Sequence, residues 1–404
     1  MRILYVTQGF PDTRLIGGQI ATFYNILQLT RAGHAVTVAT LVEPSSPTGP
    51  ERISEIARVV ALDGVLPNSF PSYAWNLLDP LPWPIRRYAS REFARRTQDL
   101  IRSDQYDLIL FNSLHSATTL PAVREATDRP CVLLAHNVQS TIMRLYARHQ
   151  ASVPRRLYAT IQWRKMLSFE SRACAGFDLV TALSDVDRRE LEALAPGVDV
   201  RTIPLMLDIG SIAAESAEKE DFDILFVGYL GWAPNLDSLR WFLDTIFERV
   251  RKRRPGTALT IAGAAAPSWI EKKACASEDI RFLGQVDDIY GLFGRARVLV
   301  VPLRIGSGVR LKIVEAMAAR CAVVSTSKGC EGLDLSPGEH LEIADTPEAF
   351  ADAVVALLES PERRAALCER AQLRAYERHD ALAPSTPLVE ICEELGRSTG
   401  EEAS

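Results

Sequence analysis

The sequence predicts an α/β protein built as two doubly wound, Rossmann-like domains that face a cleft. Short apolar runs alternate with longer amphipathic segments along the chain, which is the pattern of parallel strands joined by helices. A polar connector rich in Ala, Glu and Ser, from Pro204 to Glu220, separates this alternation into two similar halves. We therefore predict one domain over residues 1–204 and a second over residues 221–384.

The first half opens as a β-α-β unit. The apolar run Ile3–Val6 predicts a buried strand, and Ala35–Ala39 predicts the next one. Between them apolar residues recur at helical spacing as far as Gly33, which is placed to end a helix. Further buried strands are expected at Asp107–Phe111, Cys131–Ala135, Leu179–Leu183 and Val200–Ile203.

A long amphipathic helix is predicted over residues 154–175. Its core candidates are Leu157, Ile161, Met166 and Phe169. Its outward residues are basic, namely Arg155, Arg156, Arg164 and Lys165. A solvated helix face is the expected role of these cations, and membrane contact is the alternative.

The second half repeats the pattern. Its expected strands are Ile224–Val227, Leu259–Ala262, Ile280–Leu283, Val298–Val301, Ala322–Ser325 and His340–Ile343. Apolar residues at helical spacing predict a helix directly after Asn235 and helical segments over Phe350–Ala375 and Leu388–Leu395. The alternation of strand and helix therefore continues to the end of the chain.

Composition narrows the functional classes. A length of 404 residues suffices for two cores, and 47% hydrophobic with 24% charged residues is typical of a soluble globular protein. A formal net charge of -5 argues against a general nucleic-acid binder. The seven cysteines are scattered, which fits free thiols in a reducing compartment better than disulfides or a zinc site. No secretory signal or membrane-spanning run is apparent, so we predict a cytoplasmic protein.

The most informative stretch is Arg304–Ala319, where a glycine loop follows a buried strand and leads into a helix. The first turn of a helix presents unpaired N–H groups and a partial positive charge, and Gly306 and Gly308 permit close approach of a ligand. The stretch also supplies three cations and one carboxylate, namely Arg304, Arg310, Lys312 and Glu315. This layout suits a diphosphate with a ribose attached. A glycine-capped helix with a solvated basic face is the alternative.

This stretch resembles the donor-site signature of family 4 retaining glycosyltransferases, which have the GT-B fold. The resemblance is to their exopolysaccharide-associated branch, whose loop reads close to Pro-Leu-Arg-x-Gly-Ser-Gly-x-Arg-x-Lys-Ile-x-Glu-Ala-Met-Ala. It continues through Val323–Thr326 and Gly329–Leu333 and covers most of residues 222–355. The wider family has the pattern Glu-x7-Glu, whereas this chain has Ser307 in place of the first Glu and keeps only Glu315.

The resemblance implies roles for several residues. It assigns Glu315 to the ribose, Arg304 and Lys312 to the diphosphate with help from Arg310, and Ser307, Gly308 and Val309 to the sugar. It places Gln285 and Val286 at the nucleobase and the loop beginning at Gly228 near the diphosphate, although that loop lacks the basic residue common in the wider family. It also implies that residues 385–404 return to the first domain.

In the first half, His136 follows a predicted strand directly, where a parallel sheet binds ligands. Members of the family carry a His at this point, so the resemblance makes His136 a catalytic candidate that orients the sugar. An ordinary surface histidine is the alternative. The resemblance also implies that the loop containing Gly17 and Gly18 faces the cleft near acceptor and donor; a simple strand-to-helix turn is the alternative.

Asp185 and Asp187 form an Asp-x-Asp after a strand, which is how GT-A glycosyltransferases hold a divalent metal. Ser184 precedes a helical pattern, however, and Asp187 stands three residues later. That spacing is typical of a helix cap. We therefore predict a capped helix and no metal site.

Residues 67–96 interleave aromatic residues, prolines and arginines. An insertion that packs its aromatic side chains on its own domain is the favoured interpretation. The alternatives are a cover for the acceptor pocket or contact with an anionic membrane surface.

Taken with the resemblance, these features predict a metal-independent retaining glycosyltransferase without a cofactor, which uses a UDP- or GDP-sugar as co-substrate. The acceptor would be a hydroxyl of a lipid-linked or polysaccharide intermediate, met in the cytoplasm or at the inner face of the membrane. A sugar-nucleotide epimerase and a non-catalytic GT-B regulatory or binding subunit remain as alternatives.

Overall fold

A computed structural model describes residues 1–11, 17–42, 49–66, 68–150, 152–216 and 221–401. The chain forms two compact units. The first comprises Met1–Met206 and Ala381–Ser404, and the second comprises Leu207–Asp380.

The first unit is organised around a parallel sheet. Its described strands are β1 (Arg2–Gln8), β2 (Ala35–Val42), β3 (Arg58–Asp63), β4 (Leu108–Asn112), β5 (Cys131–Leu134), β6 (Leu179–Ala182) and β7 (Val200–Thr202). They lie in the order β3-β2-β1-β4-β5-β6-β7. Chain order therefore reverses between β1 and β4, and the crevice at the carboxyl ends of those two strands is where a doubly wound sheet binds ligands.

Helices connect these strands. They are α1 (Gly17–Arg31), α2 (Glu51–Ser54), α3 (Phe70–Asn76), α4 (Trp83–Arg86), α5 (Arg91–Ser103), α6 (Ser113–Ser116), α7 (Leu120–Arg124), α8 (Gln139–Arg148), α9 (Val153–Cys174) and α10 (Asp185–Leu194), with a 3₁₀ turn at Ala117–Thr119. The edge strand β3 is absent from the sequence-based prediction; its apolar run, Val59–Leu62, is short, and at the edge of the sheet its residues are half-buried or exposed.

The second unit contains a similar parallel sheet. Its described strands are β8 (Phe222–Val227), β9 (Leu259–Ala262), β10 (Ile280–Gly284), β11 (Ala296–Val301), β12 (Ala322–Ser325) and β13 (Glu342–Ile343). The order β10-β9-β8-β11-β12-β13 places the reversal of chain order between β8 and β11. The predicted pair of doubly wound, Rossmann-like domains is therefore confirmed.

The helices of this unit are α11 (Ile209–Glu215), α12 (Ala233–Trp241), α13 (Phe247–Arg253), α14 (Ser268–Cys275), α15 (Ile289–Arg295), α16 (Leu311–Ala318), α17 (Pro347–Glu359) and α18 (Pro361–His379). A π-helical turn at Phe242–Ile246 joins α12 to α13. The last helix, α19 (Pro387–Glu401), belongs to the first unit.

Three sequence-based predictions need correction. The segment Phe350–Ala375 is two helices, because Ser360 caps α18 through the N–H of Arg363 and Pro361 begins the new helix. The polar connector contains α11, which buries Ile209 and Ile212 in the second unit.

The third correction concerns Leu157. It is 62% exposed on α9 and is not a core residue, whereas Met166 of the same helix is fully buried. Within the described ranges, no helix has both the length and the apolar composition needed to cross a bilayer.

Candidate functional site

The second unit carries a glycine loop, residues 302–310, between β11 and α16. The helix begins at Leu311 and ends at Ala318, as the sequence predicts. Gly306 and Gly308 have φ angles of 138° and 83°. Only glycine adopts such angles without strain, so these two residues set the path by which the loop enters the helix.

Arg310 lies inside this loop. Its side chain is buried, and Nη1 donates hydrogen bonds to the carbonyl oxygens of Ser307 and Gly308. A Cβ atom on Gly306 would come within 2.6 Å of Nη2, so the glycine makes room for the guanidinium. Arg310 thus stabilises the conformation of its own loop, and in this conformation its Nη1 group is occupied by loop carbonyl oxygens.

Lys312 stands in the first turn of α16. Its Nζ donates to the carbonyl oxygen of Val227 at 2.6 Å, lies 3.5 Å from Oδ1 of Asn235, and lies 5.7 Å from the centre of the Phe226 ring. A Cβ atom on Gly228 would come within 3.1 Å of Nζ. The ammonium group is therefore held at the carboxyl end of β8, beside the point where the sheet reverses its order.

Glu315 follows Lys312 by one turn and is buried. Its carboxylate makes no hydrogen bond to any residue that the structure describes. Burial raises the pKa of Glu315 to about 7, and the nearby Lys312 opposes that rise. Burial likewise lowers the pKa of Lys312 to about 8, with Arg310 adding to the effect and Glu315 opposing it. The helix thus carries a buried pair of opposite charges, Lys312 and Glu315. Within the described structure, the carboxylate of Glu315 accepts no hydrogen bond.

Arg304 is placed differently from the other cations of the stretch. It is exposed, forms an ion pair with Asp237 at 2.7 Å, and lies 5.2 Å over the ring of Trp241. Exposed pairs of this kind contribute about 0–1 kcal/mol, so the guanidinium can leave Asp237 for a stronger anion at little cost.

Gln285 and Val286 directly follow β10, with Gln285 exposed and Val286 half-buried. Strand β9 separates β10 from β8. At the usual spacing of about 4.8 Å between strands, Gln285 is about 10 Å across the sheet from Gly228. That separation is of the size of a nucleoside.

In the first unit, His136 follows β5 and belongs to a polar network. Its Nε2 lies 2.9 Å from Oδ1 of Asn112, the last residue of β4. The same oxygen accepts a hydrogen bond from Tyr5 Oη at 3.0 Å, and Asn112 Nδ2 donates to Thr7 Oγ1 at 3.0 Å. The network therefore connects the ends of β1, β4 and β5 at the point where this sheet reverses its order.

The network also decides the chemical state of His136. Because Asn112 Oδ1 accepts, Nε2 carries the imidazole hydrogen and Nδ1 keeps a free electron pair. Burial lowers the pKa of His136 to about 4, so the ring is neutral at physiological pH. His136 is thus a neutral hydrogen-bond acceptor through Nδ1.

Gly17 and Gly18 form the first residues of α1, so the helix begins slightly earlier than the sequence predicts. A Cβ atom on Gly18 would lie 3.4 Å from His136 Nδ1. The start of α1 therefore lies next to the imidazole, at a distance that a Cβ atom would fill with ordinary van der Waals contact. The segment immediately before Gly17 lies outside the described residues.

Two further polar residues at the end of β4 were missed by the sequence analysis. Ser113 has a φ angle of 65°, and its Oγ donates to Oε1 of Gln8 and contacts Nδ1 of His115 at 3.2 Å. Burial, followed by the nearby His136, lowers the pKa of His115 to about 4. Both residues follow a buried strand just as His136 does, and that position was the available signal.

Glu170 of α9 fixes the segment that follows His136. Its two buried carboxylate oxygens accept hydrogen bonds from the backbone N–H groups of Gln139 and Ser140, at 2.7 and 2.8 Å. A carboxylate at a helix N-terminus is favourable, and here it holds the start of α8 in place. Glu170 is therefore a positioning residue for the turn that carries His136.

The Asp-x-Asp segment is a helix cap, as predicted. Ser184 Oγ accepts the N–H of Asp187 at 3.1 Å and donates to the Asp187 carboxylate at 2.8 Å. Asp185 points elsewhere, accepting from Thr202 Oγ1 at 2.6 Å. In the described part of the chain, no three His, Cys, Asp or Glu side chains converge in a way that would hold a metal ion.

Comparison with known proteins assigns both halves of the chain. The family model described as Glycosyltransferase Family 4 matches residues 16–210. The model described as Glycosyl transferases group 1 matches residues 221–360. An uncharacterized 44.6 kDa protein in the cps region of Klebsiella pneumoniae is 24% identical over 367 residues, which cover 88% of this chain and 90% of that protein.

Solved structures are similar over the whole chain. Sucrose-phosphate synthase from Thermosynechococcus elongatus aligns with a TM-score of 0.72 and 17% identity over all of both chains. Anabaena HepE in complex with UDP aligns with a TM-score of 0.66 and 15% identity, covering 99% of this chain and 100% of that chain. These likenesses show the fold, and the prediction of a GT-B protein is confirmed.

Proposed function

A chain made of a Family 4 glycosyltransferase domain followed by a group 1 glycosyl transferase domain is a glycosyltransferase, and from that premise we propose which reaction it carries out. The reaction is transfer of a sugar from a UDP- or GDP-sugar to a hydroxyl of a lipid-linked or polysaccharide acceptor. The anomeric configuration of the donor is retained, and no metal takes part.

The observation that carries this proposal is the state of Glu315. A buried carboxylate without a hydrogen-bond partner in the described structure is costly unless a ligand supplies donors. The two hydroxyls of a ribose supply them, and a diphosphate attached to that ribose reaches the first turn of α16. There Lys312 and the helix N-terminus offer positive charge.

Each remaining residue of the stretch has a role in the proposed complex. The diphosphate that leaves gains negative charge, and preorganised cations stabilise it. Lys312 is the preorganised cation, while Arg304 joins it after leaving its exposed pair with Asp237. Ser307, Gly308 and Val309 lie on the loop ahead of the helix and face the sugar, and Ser307 Oγ is a buried hydroxyl without a described partner.

His136 acts as a neutral group. Its Nδ1 accepts a hydrogen bond from a sugar hydroxyl and orients it, and the proton of the acceptor hydroxyl passes to the departing phosphate. The low pKa of His136 supports this role, because an imidazole that is hard to protonate cannot serve as the general acid at neutral pH.

Two relatives support the finer points. UDP bound to HepE supports a uridine nucleotide as donor, with the base beside Gln285 and Val286. The cps region of the Klebsiella pneumoniae relative supports an exopolysaccharide product.

A thermal-shift screen of nucleotide sugars tests the proposal. A ligand present at about 100 times its Kd stabilises the protein by about 2.7 kcal/mol, so a true donor raises the Tm clearly. We expect UDP- or GDP-sugars to raise it in the wild type and to lose most of that effect in Glu315→Gln. Equal shifts in both proteins would place the nucleotide elsewhere.

Two assays then separate the alternatives. Conversion of a free nucleotide sugar into its epimer without acceptor would establish an epimerase. Donor binding without hydrolysis or transfer would support the non-catalytic subunit, a reading that Ser307 in place of the first family Glu keeps open. Activity that persists in EDTA, with a product of the donor's anomeric configuration, would support the retaining, metal-independent reaction.

A further inference from the structure

One surface of the first unit combines exposed apolar side chains with exposed arginines. Trp75, at the end of α3, is 77% exposed, and Leu78 just beyond it is 84% exposed. On α9, Val153 and Leu157 are 79% and 62% exposed. Such a concentration of large apolar side chains marks a binding surface, because isolated exposed residues are common but clusters are not. We call these four residues the Trp75–Leu157 surface.

The two parts of this surface are joined rigidly. Lys165 of α9 donates from Nζ to the carbonyl oxygens of Asn76, Leu77 and Asp79. The rings of Tyr73 and Tyr158 also meet edge to face, with centroids 6.2 Å apart. The end of α3 is therefore fastened to the part of α9 between Tyr158 and Lys165, which directly follows Leu157.

The part of this surface that lies on α8 and α9 is positively charged. Between Ser140 and Phe169 the sequence contains six Arg and Lys residues and no Asp or Glu, although the whole chain has a net charge of -5. Four of them are exposed arginines on α8 and α9, at positions 148, 155, 156 and 164. Among the described residues, none of these four forms an ion pair. Surface arginines elsewhere commonly do, as with Arg188, Arg201 and Arg251.

We propose that the Trp75–Leu157 surface docks on an anionic lipid bilayer. Apolar side chains and Trp enter the interface between head groups and acyl chains, while unpaired arginines meet anionic head groups. A protein partner of acidic character is the competing occupant. The bilayer is favoured because α9 and the end of α3 expose large apolar groups beside exposed arginines, whose charge anionic head groups complement.

This docking deepens the proposed function. Binding to the bilayer is independent of that function, and only the link to a lipid-linked acceptor rests on it. From Leu157, α9 continues about 20 Å at 1.5 Å per residue to Glu170, which holds the turn after His136. One rigid helix thus links the docking surface to the catalytic segment of the same unit. A lipid-linked acceptor would be met by an enzyme already lying on its membrane.

Co-sedimentation with vesicles tests the proposal on the full chain without any sugar nucleotide. We expect binding to vesicles of phosphatidylcholine with 30% phosphatidylglycerol. Binding to pure phosphatidylcholine should be at least tenfold weaker, and high salt should weaken binding to the anionic vesicles. Arg155→Ala with Arg156→Ala should lower the partition coefficient on the order of tenfold or more. Leu157→Ser with Trp75→Ser should lower it by a similar factor.

Matched controls come from the second unit. Lys252 and Lys272 are exposed and make no ion pair within the described structure, so changing both to Ala alters net charge as the arginine pair does. Leu373 is 60% exposed on a helix, which makes Leu373→Ser the control for Leu157. Controls should bind vesicles as the wild type does, and all variants should keep the wild-type Tm and the Tm rise with donor.

Several results would overturn docking. Equal binding to neutral and anionic vesicles would remove the role of the arginines. An equal loss of vesicle binding in the arginine variant and in the lysine control would show a nonspecific charge effect. Self-association that disappears in Leu157→Ser, with no vesicle binding by the wild type, would assign the surface to a second copy of the chain. Donor-dependent Tm shifts report separately on the proposed function.

Discussion

The two sheets of this protein present opposite kinds of site at equivalent positions. In the first unit, polar side chains at the ends of β1, β4 and β5 satisfy one another, and His136 is neutral. In the second unit, the start of α16 holds the charged groups Lys312 and Glu315, which burial disfavours. The first site is preorganised by internal hydrogen bonds, whereas the second keeps electrostatic capacity that only a ligand completes. The same fold thus provides a rigid neutral site in one half and a charged binding site in the other.

Removing the central cation should produce the largest effect. Lys312→Ala is expected to lower kcat/KM on the order of 10²-fold to 10³-fold, since one preorganised charge donor is lost. Arg304→Ala should cost about tenfold, because its guanidinium is exposed and must first leave Asp237. Steady-state rates with both variants measure the difference. A larger loss of kcat/KM in Arg304→Ala than in Lys312→Ala would contradict the assignment of Lys312 as the main cation at the diphosphate.

The neutral site should respond in a different parameter. His136→Asn is expected to lower kcat on the order of 10²-fold, through loss of orientation at the reacting sugar, and to leave donor affinity unchanged. Gly18→Ala serves as a milder probe, since its Cβ would lie in van der Waals contact with Nδ1, at 3.4 Å, on the side where a sugar hydroxyl is proposed to donate. Calorimetry of donor binding beside turnover separates the two quantities. Weaker donor binding in His136→Asn with normal kcat would reverse the assignment.

Glu315→Gln should reduce nucleotide affinity tenfold or more, as a charge-assisted hydrogen bond of about 1.5–3 kcal/mol is weakened. The unliganded variant should also gain stability at pH 8. The pKa of Glu315 is raised from 4.5 to about 7, so the unfolded chain releases its proton first and wild-type stability falls as pH rises between those values. Below pH 4.5 both states are protonated and the variant should have no advantage. Melting curves at pH 4 and pH 8 test the sign.

Acid should weaken the first unit through its histidines. The pKa values of His136 and His115 are lowered from 6.5 to about 4, so as pH falls below 6.5 the unfolded chain binds protons before the folded one. Each should cost about 1 kcal/mol of unfolding free energy near pH 5.5. In urea titrations, His115→Gln should reduce the loss of unfolding free energy that occurs as the pH falls below 6.5. The surface residue His149 provides the control, and an equal effect of His149→Gln would argue against the role of burial.

The smallest effect is expected at the helix cap. Asp187→Asn keeps the shape of a side chain that bonds Ser184, so stability should fall by about 0.5 kcal/mol and activity should remain. EDTA should leave turnover unchanged in the wild type and the variant. Loss of activity in EDTA with rescue by Mn²⁺ would move the active site to this segment of the first unit.

Local features were determined by the sequence alone. The start of α16 at Leu311, the cap at Ser184 and the buried strands of both sheets depend on neighbouring residues, and apolar periodicity and capping chemistry predict them correctly. Resemblance in the loop and helix after β11 also pointed to the type of protein. The two features that were missed also have local signals. Strand β3 contains only the short apolar run Val59–Leu62 at the edge of the sheet, and Ser360 with Pro361 divides a helical run.

Only the tertiary structure decided the state of the side chains. The sequence predicts Arg310 as a cation available to a ligand, yet its side chain donates hydrogen bonds to the carbonyl oxygens of its own loop. Leu157 follows the apolar spacing of a core residue, yet it is 62% exposed on α9. His136 owes its tautomer to Asn112, which is 24 residues away, and Lys312 is held by Val227, which is 85 residues away. Burial and pairing of this kind depend on contacts between distant segments, and folding alone brings those segments together.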